Sequence, residues 1–221
     1  MRKLFYFGAA IAALALSAAM TLPASASTGG VLTYGSLGGS SVAAGDTITA
    51  SLAAGTNAEF YTTSTGTSGL TCGSSSFDAT VVTNPAASGA ATESLTGQTF
   101  GSCSASVFGV TSVQSLTVNN LPWSASVDDS TDTLTISGTS SAPIETTVVL
   151  NTLLGQATCV YEANGDAITG TVSNSANSIS FSNQQFNLVS GTFLCAGNGY
   201  FSATYSPVED STQGNAAVYV N

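Results

Sequence analysis

Apolar and polar residues alternate along most of the chain after residue 46. In residues 47–52, for example, Ile48, Ala50 and Leu52 alternate with Thr and Ser. A two-residue period places every second side chain on one face, as in a strand with one buried face. Short segments of this kind are separated by turn-forming Gly, Asn, Ser and Pro, and no segment carries a useful helical period. The chain is therefore predicted to be all-β, with an antiparallel β-sandwich or barrel-like domain.

A cysteine-bounded pattern occurs twice, in residues 71–103 and 158–195. Each copy begins Thr-Cys, contains Gln-x-Phe or Gln-Phe, and ends on a second cysteine. The distance from the first cysteine to the Phe is 28 positions in one copy and 27 in the other. This repeat predicts two related β units, at about residues 69–110 and 157–205, within an all-β domain spanning residues 46–221.

One dipeptide carries a turn signal of its own. Asn164-Gly165 lies between alternating segments at residues 157–163 and 167–172. Asn-Gly between two such segments is a strong signal for a two-residue β-hairpin. The two segments are therefore predicted to pair with each other.

The N-terminus has the pattern of a Sec-type signal peptide. Arg2 and Lys3 precede an apolar run over residues 4–20, and Pro23 is followed by Ala-Ser-Ala ending at Ala26. This pattern predicts a signal peptide over residues 1–26, cleavage after Ala26, and a secreted, extracellular protein without a membrane segment after processing. The alternative is an uncleaved anchor helix, because the apolar run is just long enough to span a bilayer. Residues 27–45, rich in Gly and Ser, are predicted to form a flexible leader with at most one short strand.

Composition excludes several functions. Residues 27–221 contain no Lys, Arg, His or Met, and they keep all twelve carboxylates, for a formal charge of −12. Without cations the chain cannot neutralise phosphate, which excludes nucleic acid as a partner. Nucleophile–histidine and Ser-Lys catalysis are excluded in the same way. A carboxylate pair remains as an option, but all five candidates lie in or beside predicted turns, namely Asp128, Asp129, Asp132, Glu145 and Glu162. The chain is therefore predicted not to be an enzyme.

Four cysteines in an exported chain indicate two disulfides. Three pairings are possible, and the internal repeat favours Cys72–Cys103 with Cys159–Cys195. In the loop-entropy account each bond stabilises the fold by roughly 3–4 kcal/mol. A zinc site is not indicated, since there is no histidine and no Cys-x-x-Cys pair.

Two weaker site hypotheses remain. Asp128, Ser130 and Asp132 present alternating oxygen ligands in one short turn, which is a candidate calcium site, although an acidic hairpin tip is the alternative. No other cofactor is indicated. Trp123, the only tryptophan, is a candidate ligand-binding residue together with Tyr161 and Tyr200, whereas a core position is the alternative.

The order of short motifs resembles a group of exported bacterial proteins. A Thr-Cys segment is followed by Leu121-Pro122-Trp123, a second Thr-Cys segment, Ile179-x-Phe181 and a late cysteine. Over residues 69–205 this is similar to small secreted proteins of high-GC Gram-positive bacteria and, more distantly, to the secreted alkane-oxidation activator family. The resemblance implies an extracellular location and a β architecture, and it supplies no catalytic residues.

The leading hypothesis is a secreted, non-enzymatic structural or cell-surface protein that self-associates. Exposed sheet edges accept added strands, and residues 31–37 or 217–220 are candidates to insert into a neighbouring copy. The charge of −12 on each copy opposes such assembly at low salt. The alternative is an extracellular binding module that holds a small apolar ligand or a glycan in a cleft between sheets.

Overall fold

The computed structural model of the protein describes residues 29–221. The predicted signal peptide and its cleavage site after Ala26 lie outside the described residues. Within residues 29–221 the regular structure consists of strands and two short 3₁₀ turns, which confirms the all-β prediction.

Fifteen strands are formed in the described part of the chain. They are β1 (Leu32–Tyr34), β2 (Ser40–Ser41), β3 (Thr47–Leu52), β4 (Ala58–Tyr61), β5 (Gly69–Thr83), β6 (Ala90–Ala105), β7 (Val110–Asn119), β8 (Trp123–Asp128), β9 (Thr133–Ser137), β10 (Glu145–Thr152), β11 (Gly155–Ala163), β12 (Ala167–Ser173), β13 (Ser178–Gly191), β14 (Asn198–Asp210) and β15 (Ala216–Val220). The 3₁₀ turns are Asn164–Asp166 and Ser211–Gln213.

The strands form an up-and-down antiparallel barrel. Its wall has eight strand positions, and neighbouring positions follow one another along the chain. Four positions are continuous strands of 13 to 16 residues, namely β5, β6, β13 and β14. Each of the other four is divided between two successive strands, β3 and β4, β7 and β8, β9 and β10, or β11 and β12. Of the two predicted architectures, the barrel is the one observed.

The divided positions give the barrel two rings. The lower ring contains β3, β5, β6, β8, β9, β12, β13 and β14, and every neighbour in it is paired. The upper ring contains β4, β5, β6, β7, β10, β11, β13 and β14. Among the described strands it is paired everywhere except between β6 and β7, which are joined by the loop at residues 106–109. Residues 46–221 therefore build one barrel that contains both predicted β units.

The alternating pattern decides which side chains fill the barrel. On β6, Ala91, Glu93 and Leu95 are buried in the interior, whereas Thr92 and Ser94 are less buried. Eight-stranded barrels are just wide enough for side chains to fill the interior. Here aromatic rings do much of the filling, and Phe60 stacks on Phe201 with ring centroids 4.9 Å apart.

The end of the barrel next to residues 84–89, 129–132 and 174–177 is covered by β1 and β15, the first and last strands of the described residues. β1 pairs with β15, and Leu32, Val218 and Val220 pack into the barrel core. The side-chain amide of Asn84 forms two hydrogen bonds with the backbone of Leu32, and that of Asn174 forms two with the backbone of Val220. Within the described part of the predicted leader, apolar burial and asparagine side chains hold the short strand β1 in place.

Two local predictions are corrected. β11 and β12 do not pair with each other at Asn164-Gly165. Both pair with β13, and the 3₁₀ turn Asn164–Asp166 connects them as they pass from the upper to the lower ring. The sequence pattern also predicts separate short strands at residues 69–72 and 77–82, but these are one strand, β5, because small Ser and Gly residues do not interrupt its pairing with β6.

Candidate functional site

The open end of the barrel, opposite the termini, carries exposed apolar side chains. Its loops at residues 106–109, 153–154 and 192–197 connect β6 to β7, β10 to β11 and β13 to β14. Phe108 is fully exposed, Phe193 is 86% exposed, and Leu153 and Leu154 are 76% and 77% exposed. These four side chains define the apolar end.

The loops of the apolar end are held in place by the backbone and by a disulfide. The amide of Leu153 donates to the carbonyl of Gly109 at 3.1 Å, which fixes two of the loops side by side. Gly109 and Gly155 adopt positive φ values of 81° and 111°, the left-handed region that favours glycine. The third loop is tied to β11 by Cys159–Cys195. The four apolar side chains are therefore presented on anchored backbone.

Charge is segregated away from the apolar end. No charged residue lies between Glu93 and Asp128, between Glu145 and Glu162, or between Asp166 and Glu209, and these stretches contain its three loops. The β8–β9 turn, with three of the twelve carboxylates, lies at the opposite end. The apolar end therefore combines high exposure of apolar surface with an absence of charge in its loops.

Three small chambers follow one another inside the barrel. The upper chamber, of about 70 Å³, lies beneath the apolar end and has Val107 and Leu194 in its wall. The middle chamber measures about 40 Å³ and the lower one about 50 Å³. Phe60 lines both upper and middle chambers, and Phe181 lines both middle and lower. Pockets for drug-sized ligands usually measure about 300–1,000 Å³, so each chamber has room for only a few heavy atoms.

The lower chamber contains a buried carboxyl group. Glu93 is 7% exposed and lines the chamber among mostly apolar residues. Its carboxyl group has no hydrogen-bond partner in residues 29–221, a part of the chain that also contains no Lys, Arg or His. Burial raises the pKa of Glu93 from its ordinary 4.5 to about 7, because the ionised form loses its solvation.

The polar groups around the middle chamber are satisfied with one exception. Gln98 Nε2 donates to Ser75 Oγ at 2.9 Å and to the Tyr205 hydroxyl at 3.1 Å, and Ser75 Oγ lies 2.8 Å from the same hydroxyl. Trp123 Nε1 is buried and finds no acceptor in the described part of the chain. Among residues 29–221, the fully buried polar atoms without a partner are Trp123 Nε1 and Asp210 Oδ2, whereas the Glu93 side chain borders the lower chamber.

Both predicted disulfides are confirmed. Cys72–Cys103 joins two residues directly opposite each other on β5 and β6, with an S–S distance of 2.04 Å. Cys159–Cys195 joins β11 to the loop before β14, with an S–S distance of 1.99 Å. One bond joins two paired strands and the other joins a strand to a loop. The sequence repeat therefore predicts the cysteine pairing correctly but not a common local structure.

The calcium candidates lie in the β8–β9 turn and are occupied by turn contacts. Asp128 Oδ1 accepts from the amide and the hydroxyl of Ser130, at 2.9 and 2.6 Å, and these bonds lower the pKa of Asp128. Asp132 adopts a positive φ of 50° in the same turn. Within residues 29–221 no cluster of three or more His, Cys, Asp or Glu could hold a metal. Calcium binding at Asp128, Ser130 and Asp132 stays a prediction.

The aromatic candidates are not brought together. Trp123 is 5% exposed and lines the middle chamber, so its ring face cannot meet a glycan at the surface. Tyr161 lines the upper chamber and donates to the carbonyl of Ala196 at 3.0 Å. Tyr200 pairs with Tyr61 and Gln185 on neighbouring strands. The three residues therefore do not form one stacking surface.

The sequence interpretation missed the groups that stand out in the structure. Glu93 had a signal, because alternation on β6 places it on the same face as Ala91 and Leu95. Phe108, Leu153 and Phe193 also had one, because each interrupts a Ser/Thr/Gly-rich turn with a bulky apolar side chain. What the sequence did not show is that their loops share one end of a barrel.

Comparisons with known proteins give no relatives to guide the assignment. No protein-family model matches the chain, and no curated protein and no solved structure does so either. In residues 29–221 there is no helix with the length and apolar character needed to cross a membrane.

Proposed function

We propose that this is a secreted, non-enzymatic structural or cell-surface protein that self-associates end to end through its apolar end. The observation that carries the proposal is the exposure of Phe108, Leu153, Leu154 and Phe193 at one end of the barrel, in loops without charge. Contiguous exposed apolar surface on a soluble protein typically marks an interaction site. The two disulfides are compatible with an extracellular setting.

Association by strand addition, which the sequence predicts, requires a free strand edge. Closure of the lower ring leaves it without a free edge, whereas the upper ring leaves β6 and β7 unpaired with each other. The segments expected to insert into a neighbour, β1 and β15, pair with each other in the same chain. An association through side chains at the apolar end replaces that mechanism.

Electrostatics favour this end over any other for a contact between copies. The formal charge of residues 29–221 is −12, so two copies repel wherever their carboxylates approach. Loops 106–109, 153–154 and 192–197 contain no carboxylate. Head-to-head contact keeps the acidic β8–β9 turns of the two copies at opposite ends of the dimer.

The shape of the apolar end favours a second copy as its partner. Phe108 and Phe193 protrude, and their neighbours Val107 and Leu194 line the upper chamber between the loops. A surface with both projections and an apolar recess is suited to a two-fold contact in which each copy presents the same patch. Burial of these side chains removes apolar area from water, which drives association.

Light scattering on the processed, oxidised protein tests the proposal. We expect a concentration-dependent shift from monomer to dimer that is lost in the double variant Phe108→Ser, Phe193→Ser. The matched control is Leu37→Ser, Val82→Ser, which removes two apolar side chains that are 58% and 55% exposed elsewhere. A protein that is monomeric at every concentration contradicts the proposal, whether or not it binds zwitterionic vesicles. Equal loss of the dimer in the control variant also contradicts it.

A further inference from the structure

The lower chamber has the features of a built binding site. Its wall contains Glu93, a residue that is more than nine-tenths buried and whose carboxyl group makes no side-chain hydrogen bond among the described residues. Most of the remaining wall is apolar, with Phe77, Leu134 and Ile179 among its members. A buried carboxyl group without a partner is costly to a fold, so its presence calls for a partner from outside the chain.

The described part of the chain offers Glu93 no charged partner. Residues 29–221 contain no Lys, Arg or His, so no side chain of the described part can donate a charged hydrogen bond to Glu93. Of the other polar side chains in the chamber wall, Gln98 donates to Ser75 and Tyr205, and Ser173 and Ser178 carry only uncharged hydroxyl groups. Gln98, which also lines the lower chamber, is thus engaged elsewhere and leaves the Glu93 carboxyl group without it.

A second unpaired group lies next to this chamber. Trp123 is directly opposite Leu95 on β6, two residues from Glu93, and its buried Nε1 has no acceptor within residues 29–221. Leu95 and Gln98 line both the lower and the middle chamber, so the two spaces adjoin. The interior therefore offers an unpaired acceptor and an unpaired donor on neighbouring strands.

We infer that the lower chamber binds a small, mostly apolar amine, whose ammonium group pairs with Glu93. An ammonium supplies both the charge and the hydrogen-bond donors that the chain lacks at this position. The apolar walls fit a short hydrocarbon body, and a volume of about 50 Å³ limits the ligand to a few heavy atoms. An oxygen acceptor on the same molecule would satisfy Trp123 Nε1. This site is independent of association at the apolar end.

The only tryptophan of the chain provides the readout, because it lies in the wall next to the site. We suggest titrating the processed protein at pH 8 with isobutylamine and, separately, with isobutanol, which has a similar shape but no charge. Trp123 fluorescence and thermal shift are followed in both titrations. The variant Glu93→Gln removes the charge at nearly constant shape, and Asp78→Asn removes an exposed carboxylate as a matched control.

We expect isobutylamine to bind saturably to the unaltered protein. Its affinity should be at least about tenfold weaker in Glu93→Gln, because a charged hydrogen bond is lost, and unchanged in Asp78→Asn. Isobutanol is expected to bind more weakly than the amine to the unaltered protein. This comparison does not depend on whether any variant folds. Equal binding of amine and alcohol overturns the inference. Undiminished binding by Glu93→Gln, or no binding at millimolar amine, also overturns it.

Discussion

At the scale of single residues, Glu93 conflicts most with the pattern around it. It occupies an interior position of β6 between Ala91 and Leu95, where alternation calls for an apolar side chain. Burial without a partner raises the pKa of Glu93 to about 7. The folded protein therefore binds more protons than the unfolded chain between pH 4.5 and 7, and its stability must fall as the pH rises through that range.

Glu93→Gln is expected to remove this pH dependence. The shift in pKa from 4.5 to about 7 corresponds to roughly 3 kcal/mol of unfolding free energy. We expect the variant to match the unaltered protein near pH 4 and to exceed it in stability by up to about 3 kcal/mol at pH 8. Urea denaturation at both pH values measures the difference.

The comparison between the two proteins isolates Glu93 from other groups. The pKa of Asp210 is also raised, by burial and then by the nearby Asp46 carboxylate, and that contribution is present in both proteins. Parallel stability curves for the two proteins from pH 4 to pH 8 would show that Glu93 is solvated in solution, contrary to the structure.

At the scale of elements, the termini close the end of the barrel opposite the apolar end. β1 and β15 lie side by side, and Leu32, Val218 and Val220 line the lower chamber. Asn174 Nδ2 donates to the carbonyl of Val220 at 2.6 Å, and its Oδ1 accepts from the amide of Val220 at 2.9 Å. One side chain thus satisfies both backbone groups of a residue on β15.

Asn174→Ala is expected to loosen β15 without unfolding the barrel. Loss of two hydrogen bonds should cost about 1–3 kcal/mol locally. Hydrogen exchange should then be faster at the backbone amides of Val218 and Val220, while those of β5 and β6 keep their protection. Asn164→Ala, in an exposed 3₁₀ turn, is the matched control. Unchanged exchange at Val220 in Asn174→Ala would show that β15 is held by apolar packing alone.

Alternation and cysteine spacing carried most of the information about the elements. The two-residue period predicted an all-β fold, and the segment at Ile48 lies on β3 as expected. The repeat predicted both disulfides correctly. These properties depend on local chemistry, namely which face of a strand is apolar and which cysteines occupy similar positions, so they can be read from a single sequence.

Properties that depend on distant contacts could not be predicted in this way. Asn164-Gly165 predicts a hairpin by local rules, but both flanking strands find a better partner in β13. Residues 31–34 look like a flexible leader until β15, almost two hundred residues later, pairs with them. The apolar end could not be predicted either, because its loops come together only when the barrel closes.

At the scale of the whole molecule, the barrel is polarised along its axis. One end carries Phe108, Leu153, Leu154 and Phe193 on loops without charge, and the other carries the acidic β8–β9 turn. Such a molecule lowers its free energy by burying the first end and keeping the second in water. Higher salt screens the carboxylates, so it should not weaken an association of this kind.

Small-angle X-ray scattering of the processed, oxidised protein across a concentration series tests end-to-end association most directly. As the mass doubles, the account predicts that the longest dimension rises to about twice that of the monomer, while the cross-section of the barrel is unchanged. A doubled mass with a thicker cross-section and the monomer's length would mean that copies pack side by side, and it would contradict association through the apolar end.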